Sequence, residues 1–212
     1  MCIRDRYLMP RMIGLFRQNY PDVSVQLQVH STRRTGWSVA NGQIDLAIIG
    51  GQLPGDLENL LQIIPYATDE LALVLPTKHQ LSNKKELLKE DLYKLNFVTL
   101  DSQSTTRKVV DKLLEDSGLE IQRLKIEMEL NSLEAIKNAV QSGLGASFLP
   151  VVSIERELAA NTIHKAFIAD LEVKRELKLI TNPSRYTSRA SEVFKKNILP
   201  QFASLESPLR QN

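Results

Sequence analysis

The chain has 212 residues, 42% of them hydrophobic and 25% charged, with a formal net charge of +2 and a pI near 8.6. That balance is ordinarily globular and leaves no basic surplus with which to grip nucleic acid. Cys2 is the single cysteine, which excludes an intrachain disulfide and a cysteine-built metal site and fits a reducing compartment.

No apolar run reaches the length of a membrane span, and the charged start MCIRDR stands where a secretory signal needs its apolar core. The reading is a soluble, cytoplasmic protein without membrane association. Residues 1–6 fit neither a strand nor a helix. Tyr7–Tyr20 places Leu8, Met12, Leu15 and Phe16 on one helical face and ends at Pro21. In Val23–Val29, Val23, Val25, Leu27 and Val29 alternate with Ser24, Gln26 and Gln28, which predicts a strand with one apolar face. His30-Ser31-Thr32 offers a turn and a cap for a short helix reaching Asn41-Gly42. Asp45–Ile49 contains a continuous apolar run, the pattern of a parallel strand covered on both faces, and Gly50-Gly51 breaks it.

Leu60–Ile64 and Leu71–Leu75 read as two strands on either side of residues 65–69, and the polar residues 76–89 mark a surface and a change of domain. A second cycle follows. Phe97–Leu100 is a strand, Ser104–Ser117 a helix turning Val109, Val110, Leu113 and Leu114 inward, Gly118 its stop, and Leu124–Leu130 a strand. Asn131–Pro150 reads as helix, glycine turn, short buried strand and stop. Asn131 is the cap, Glu134 the capping-box acid, Leu133, Ile136, Ala139 and Val140 the apolar stripe, and Gly143 the left-handed residue past the helix end. Pro150 opens a helix to about Ala160, Ile163–Phe167 and Val173–Thr181 are strands, Thr187–Phe202 is a closing helix, and ESPLRQN is a frayed tail. The two cycles predict an α/β fold of two lobes, residues 1–75 with 182–212 forming one and residues 76–181 an inserted second, with a ligand in the cleft.

Catalytic chemistry has little to build on. His30, His79 and His164 lie far apart, and Gly36-Trp37-Ser38-Val39-Ala40 misses the final glycine of a nucleophile elbow and falls inside a helix. Gly143 and Gly145 lack the third glycine of a dinucleotide fingerprint, and no cluster has metal-ligand spacing. The expectation is no catalytic residue, no metal and no cofactor. What remains is a set of small polar residues opening predicted helices after strands: Ser31 and Thr32, then Ser102, Ser104 and Thr105, then Asn131 with Ser132. Helix starts expose N–H groups and a partial positive charge, so they hold carboxylates or phosphates. Arg33, Arg34 and Arg107 lie in first turns, where a cation is disfavoured by roughly 0.3–1 kcal/mol and a bound anion offsets that cost. Caps and solvated arginines account for the same residues without any ligand.

The segments VSVQLQVHSTRRTGWSVANGQIDLAIIGG, DELALVLPTKHQL, FVTLDSQSTTRKVVD and IEMELNSLEAIKNAVQSGLGASFLP resemble the effector-binding domain of LysR-type transcriptional regulators over about Tyr7–Phe202. The resemblance points most closely to the branch of RuBisCO-operon and bicarbonate-transport regulators of cyanobacteria, plastids and autotrophic bacteria. It implies a type 2 periplasmic-binding-protein-like fold of two α/β subdomains joined by two crossing strands. It also implies a cytoplasmic or plastid-stromal regulator, assembled as a homodimer or homotetramer. The implied effector is a small anionic metabolite of the sugar-phosphate, phosphoglycolate, 2-oxoglutarate or nicotinamide-phosphate type. The implied contacts are Ser31 and Thr32, Gly50 and Gly51 after DLAII, and Ser102–Thr105; Arg107, from its first-turn position, and Asn131, near the cleft, complete the expected effector-binding set. The family's winged helix-turn-helix, which carries its DNA contact, is not in this chain, and MCIRDR stands where its first strand and serine/threonine-rich loop belong. The expectation is therefore a fragment whose pocket lacks one wall. A free-standing solute-binding protein and an enzyme on the same scaffold are the rival readings.

Overall fold

A computed structural model describes residues 9–203. In chain order the helices are α1 (Met9–Asn19), α2 (Thr32–Ala40), α3 (Gly55–Glu58), α4 (Thr105–Asp116), α5 (Leu133–Gln141), α6 (Val151–Ala159), α7 (Arg189–Asn197) and α8 (Leu199–Ala203). The strands are β1 (Leu46–Ile49), β2 (Gln62–Pro76), β3 (Asn96–Leu100), β4 (Lys125–Leu130), β5 (Ser147–Pro150), β6 (Ile163–Ala166) and β7 (Lys174–Thr181). The chain divides into two compact units, Met1–Thr68 with Glu176–Asn212 and Asp69–Arg175. Strands β2 and β7 pass from one to the other. The expectations for residues 1–6, Tyr7, Leu8 and the tail lie outside the described residues.

In the first unit, α1 buries Met12 and Phe16 against Ile48, Leu177, Leu179 and Phe194. Phe16 meets Tyr20 and Phe194 in tilted and edge-on arrangements at 4.9 and 5.3 Å. A second cluster packs Val39 of α2 on Ile49, Leu53, Leu57 and Ile180. Each such buried side chain contributes about 1.5–3 kcal/mol. The run Leu46–Ile49 pairs antiparallel with β7, from Leu46↔Thr181 to Ile49↔Lys178, not in the parallel sense its apolar pattern indicated. The alternating stretch Val23–Val29 forms no strand. Alternation supplies an apolar face, but a ladder also needs a neighbour, and among the described residues none pairs with it. Val25 and Leu27 stay exposed, beside a cavity of about 360 Å³ lined also by Met9, Ile13, Leu46 and Phe194. Trp37, on the outer side of α2, is likewise exposed.

In the second unit the core gathers Leu71, Leu73 and Leu75 of β2 with Phe97, Val110, Leu114, Leu124 and Ala166. Strand β2 is continuous over 15 residues rather than two strands around Pro65. Proline lacks only an N–H, and a strand runs through it wherever that donor has no ladder partner. Leu71–Val74 pairs with β5 and Leu73–Pro76 with β6, both antiparallel. Those pairings draw Leu71–Leu75 into the second unit, ahead of the polar stretch after Pro76. Strands β3 and β4 are parallel, with Leu100 opposite Leu130. Helix α5 buries Leu133, Ile136, Ala139 and Val140 as its stripe predicts, and Gly143 adopts φ +86° behind it. Its cap is Ser132, one residue after Asn131, and Glu134 pairs with Lys137 at 3.0 Å. The closing helix divides into α7 and α8.

Gly145 is held for a different reason than a turn. The backbone of Ala146 bonds to Asn96 and Val98 on β3, so the loop lies against that strand and a Cβ on Gly145 would come within 2.5 Å of the Asn96 carbonyl oxygen. Gly145→Ala is therefore expected to cost about 1–3 kcal/mol in urea unfolding, because a backbone atom cannot swing aside as a side chain can. Asp91 is a second constraint. Its buried carboxylate accepts from Lys94 at 2.7 Å, Lys84 at 2.9 Å and the Leu88 N–H at 3.1 Å, and these partners hold it well below the usual carboxylate range. With the folded-state value depressed, its contribution is complete above the unfolded value near 3.9 and is lost as pH falls toward the folded one. Asp91→Asn should thus lower stability at neutral pH and flatten its acid decline, measured as urea midpoints from about pH 6 to pH 2.5.

Candidate functional site

The first unit contributes the start of α2. Ser31 is its N-cap, with extended backbone, and its Oγ accepts from Arg34 N at 3.4 Å; Thr32 is the first helical residue. Arg33 and Arg34 are exposed. Gly50 and Gly51 follow the end of β1, the first buried and the second half-buried. Ser38 is buried within α2, not at a strand-to-helix elbow. His79 accepts from Leu81 N through Nδ1, a capping task, and His164 sits in β6.

The second unit contributes more. Because β3 and β4 are parallel and end together at Leu100 and Leu130, the loops after them leave the same edge of the sheet, and Asp101 N donates to Leu130 O at 3.1 Å. Asp101 Oδ1 accepts from Gln103 N at 3.0 Å and shapes the turn into α4. Ser104 caps α4 with extended backbone, and its side chain makes no capping hydrogen bond. Ser102 is exposed, while Ser104 and Thr105 are half-buried. On the neighbouring loop stand the exposed Asn131 and the half-buried Ser132, whose Oγ accepts from Ala135 N. Thus Ser102, Ser104, Thr105 and Asn131 share one edge. Ser31, Thr32, Gly50 and Gly51 belong to the other unit.

Arg107 is engaged within the unit. Its Nε lies 2.8 and 2.7 Å from the two Asp111 oxygens, and one terminal nitrogen donates to Thr99 Oγ1 at 2.5 Å and lies 3.5 Å from Glu129. The side chain is 11% exposed. Its first-turn charge is thereby balanced without a ligand. The Arg107–Asp111 spacing of four residues on one helix was legible in the sequence.

A buried ion pair stands behind the same helix start. Arg175 donates through Nε and one terminal nitrogen to Asp69 Oδ2, at 2.9 and 2.6 Å, and through the other to Thr106 Oγ1 at 2.9 Å. All three residues are at most 5% exposed. The signal for Arg175 was its place among the inward residues of an alternating strand, with Leu177 and Leu179. Asp69 and Thr106 carried no such signal. Among the described residues no group of His, Cys, Asp or Glu is arranged to hold a metal, and no helix is long and apolar enough to cross a membrane.

A model of the LysR substrate binding domain matches residues 3–203. The chain belongs to that family. A relative from Synechocystis sp., named a probable RuBisCO transcriptional regulator, is 61% identical over 198 residues; the match covers 93% of this chain and 57% of the relative. The chain therefore spans a little over half the length of that regulator. The Synechocystis CcmR regulatory domain, in complex with 2-PG, superposes with a TM-score of 0.81 at 24% identity, covering 94% of this chain and 93% of that one. The effector binding domain of QuiR, in complex with shikimate, gives 0.77 at 20% identity over 94% and 92%. The LysR substrate binding domain of this chain thus has the type 2 periplasmic-binding-protein-like fold of LysR effector-binding domains.

Proposed function

We propose that this LysR substrate binding domain is the effector-sensing part of a transcriptional regulator of carbon-metabolism genes, and that its effector is a small anionic metabolite. The observation that carries the reading is the shared edge in the second unit. There the parallel strands β3 and β4 deliver Ser102, Ser104 and Thr105 at a helix start beside Asn131. The free N–H groups of α4, the uncommitted Ser104 hydroxyl and the helix dipole suit a carboxylate or phosphate. Ser31, Thr32, Gly50 and Gly51 are the proposed contacts of the first unit. Arg107 serves by bracing the helix start on Thr99 rather than as a free cation. The resemblance to a RuBisCO regulator and to a domain bound to 2-PG supports phosphoglycolate and sugar phosphates as first candidates, with 2-oxoglutarate and nicotinamide phosphates beside them. Homodimers or homotetramers, action in the cytoplasm or plastid stroma, and DNA contact through the part of such regulators that this chain does not span belong to the same reading. No cofactor, metal or catalytic residue enters it.

An anion bound here acts by preferring one arrangement of the protein, and its effect is limited by its difference in affinity between arrangements. In a thermal-shift screen of these metabolites, the effector at about a hundred times its Kd should add about 2.7 kcal/mol of stability. Thr105→Ala should shrink that shift while leaving the ligand-free Tm nearly unchanged. A screen in which none of these anions moves the Tm would defeat the reading.

A further inference from the structure

Asp69 and Arg175 are the first and last residues of the second unit, the points at which β2 and β7 leave it. At these two points lie the buried carboxylate and the buried guanidinium of the ion pair described above, 4% and 5% exposed. The remaining arm of the guanidinium reaches Thr106, 1% exposed, in the first turn of α4. Three bonds from one rigid, planar fork join both strands to one helix start. A buried guanidinium also cannot leave these partners cheaply, because an unpaired charge would remain out of water. A threonine chosen only for packing would need no hydroxyl here, and an isosteric valine would fill the same space.

We infer that Arg175 is a positioning residue that fixes the amino end of α4 to the exit points of both connecting strands through Thr106 Oγ1. This rests on the proposal that Ser104 and Thr105 hold the effector anion. Pressure from an anion on the helix start is then passed by hydrogen bonds to the two strands that lead into the other unit. The residues that touch the ligand and the residue that transmits its presence are adjacent in sequence, Thr105 and Thr106, with side chains committed to different tasks.

The test uses the full chain and two variants, Thr106→Val, which removes only the acceptor, and Thr106→Ser, which restores it. Hydrogen exchange of the ligand-free protein is read at the amides that close the first turn of α4, beginning with Lys108, whose N–H donates to Ser104 O at 3.0 Å, with α5 as an internal control. Phosphoglycolate is the ligand probe, its Kd measured by calorimetry. Loss of a hydrogen bond to a charged donor should raise first-turn exchange in Thr106→Val by about tenfold or more, with α5 unchanged, and weaken phosphoglycolate by a similar factor. Thr106→Ser should recover most of both. Where Thr106→Val proves too unstable to handle, Arg175→Lys, which keeps the charge and loses the fork, is expected to give the same local increase. Unchanged first-turn exchange alongside a general loss of stability would overturn the inference, since it would make the cluster ordinary packing. A wild-type chain that binds none of the screened anions would defeat the effector assignment instead, while the exchange comparison would still decide the positioning role.

Discussion

Burial of strand β2 on both faces is the constraint around which the second unit is arranged. Leu71, Leu73 and Leu75 enter the main core on one side, and Ala72 and Val74 are equally buried on the other. A strand covered on both faces needs neighbours along both edges, which β5 and β6 supply. It also admits polar side chains only with partners. Asp69, at the threshold of that buried stretch, has the Arg175 fork as its partner, and Arg175 in turn takes up Thr106. The apolar demand of one strand thus accounts for the ion pair that lies beneath the start of α4.

Features set by neighbours in sequence were legible. The stripes of α1, α4 and α5 and the glycine ends at Gly118 and Gly143 all follow from spacing within a dozen residues. Features set by distant chain were not. The alternation of Val23–Val29 states which face is apolar but not whether a strand lies alongside. The apolar run of β1 states that it is covered but not that its partner runs the other way. Pro65 looked like an interruption because its missing donor weighs only where a ladder requires it.

The same division holds at the candidate site. Caps are local, so Ser31 and Ser104 were readable from a hydroxyl before a periodic run; Asn131 against Ser132 differed by one residue because either side chain can cap. Charges are less local. Arg107 looked like an arginine awaiting an anion, yet Asp111 one helical turn away and Glu129 on β4 already balance it. Arg175 and Lys137 are both buried. Lys137 bonds Glu157 at 2.7 Å and the Ser153 carbonyl at 3.1 Å. A cation on an inward position is a request for a partner that sequence order does not locate.

Trp37 is the only tryptophan in the chain, and it sits half in water on α2, a helix of the first unit. Its indole emission is accordingly a one-sided optical reporter. It follows the solvation of the helix that Ser31 caps and has no counterpart among the residues of the second unit, whose aromatic side chains are phenylalanines and Tyr93. Far-ultraviolet dichroism weighs both units by their helices. Whether the two signals change together on denaturation is then a direct gauge of how far the halves of this chain share one cooperative transition.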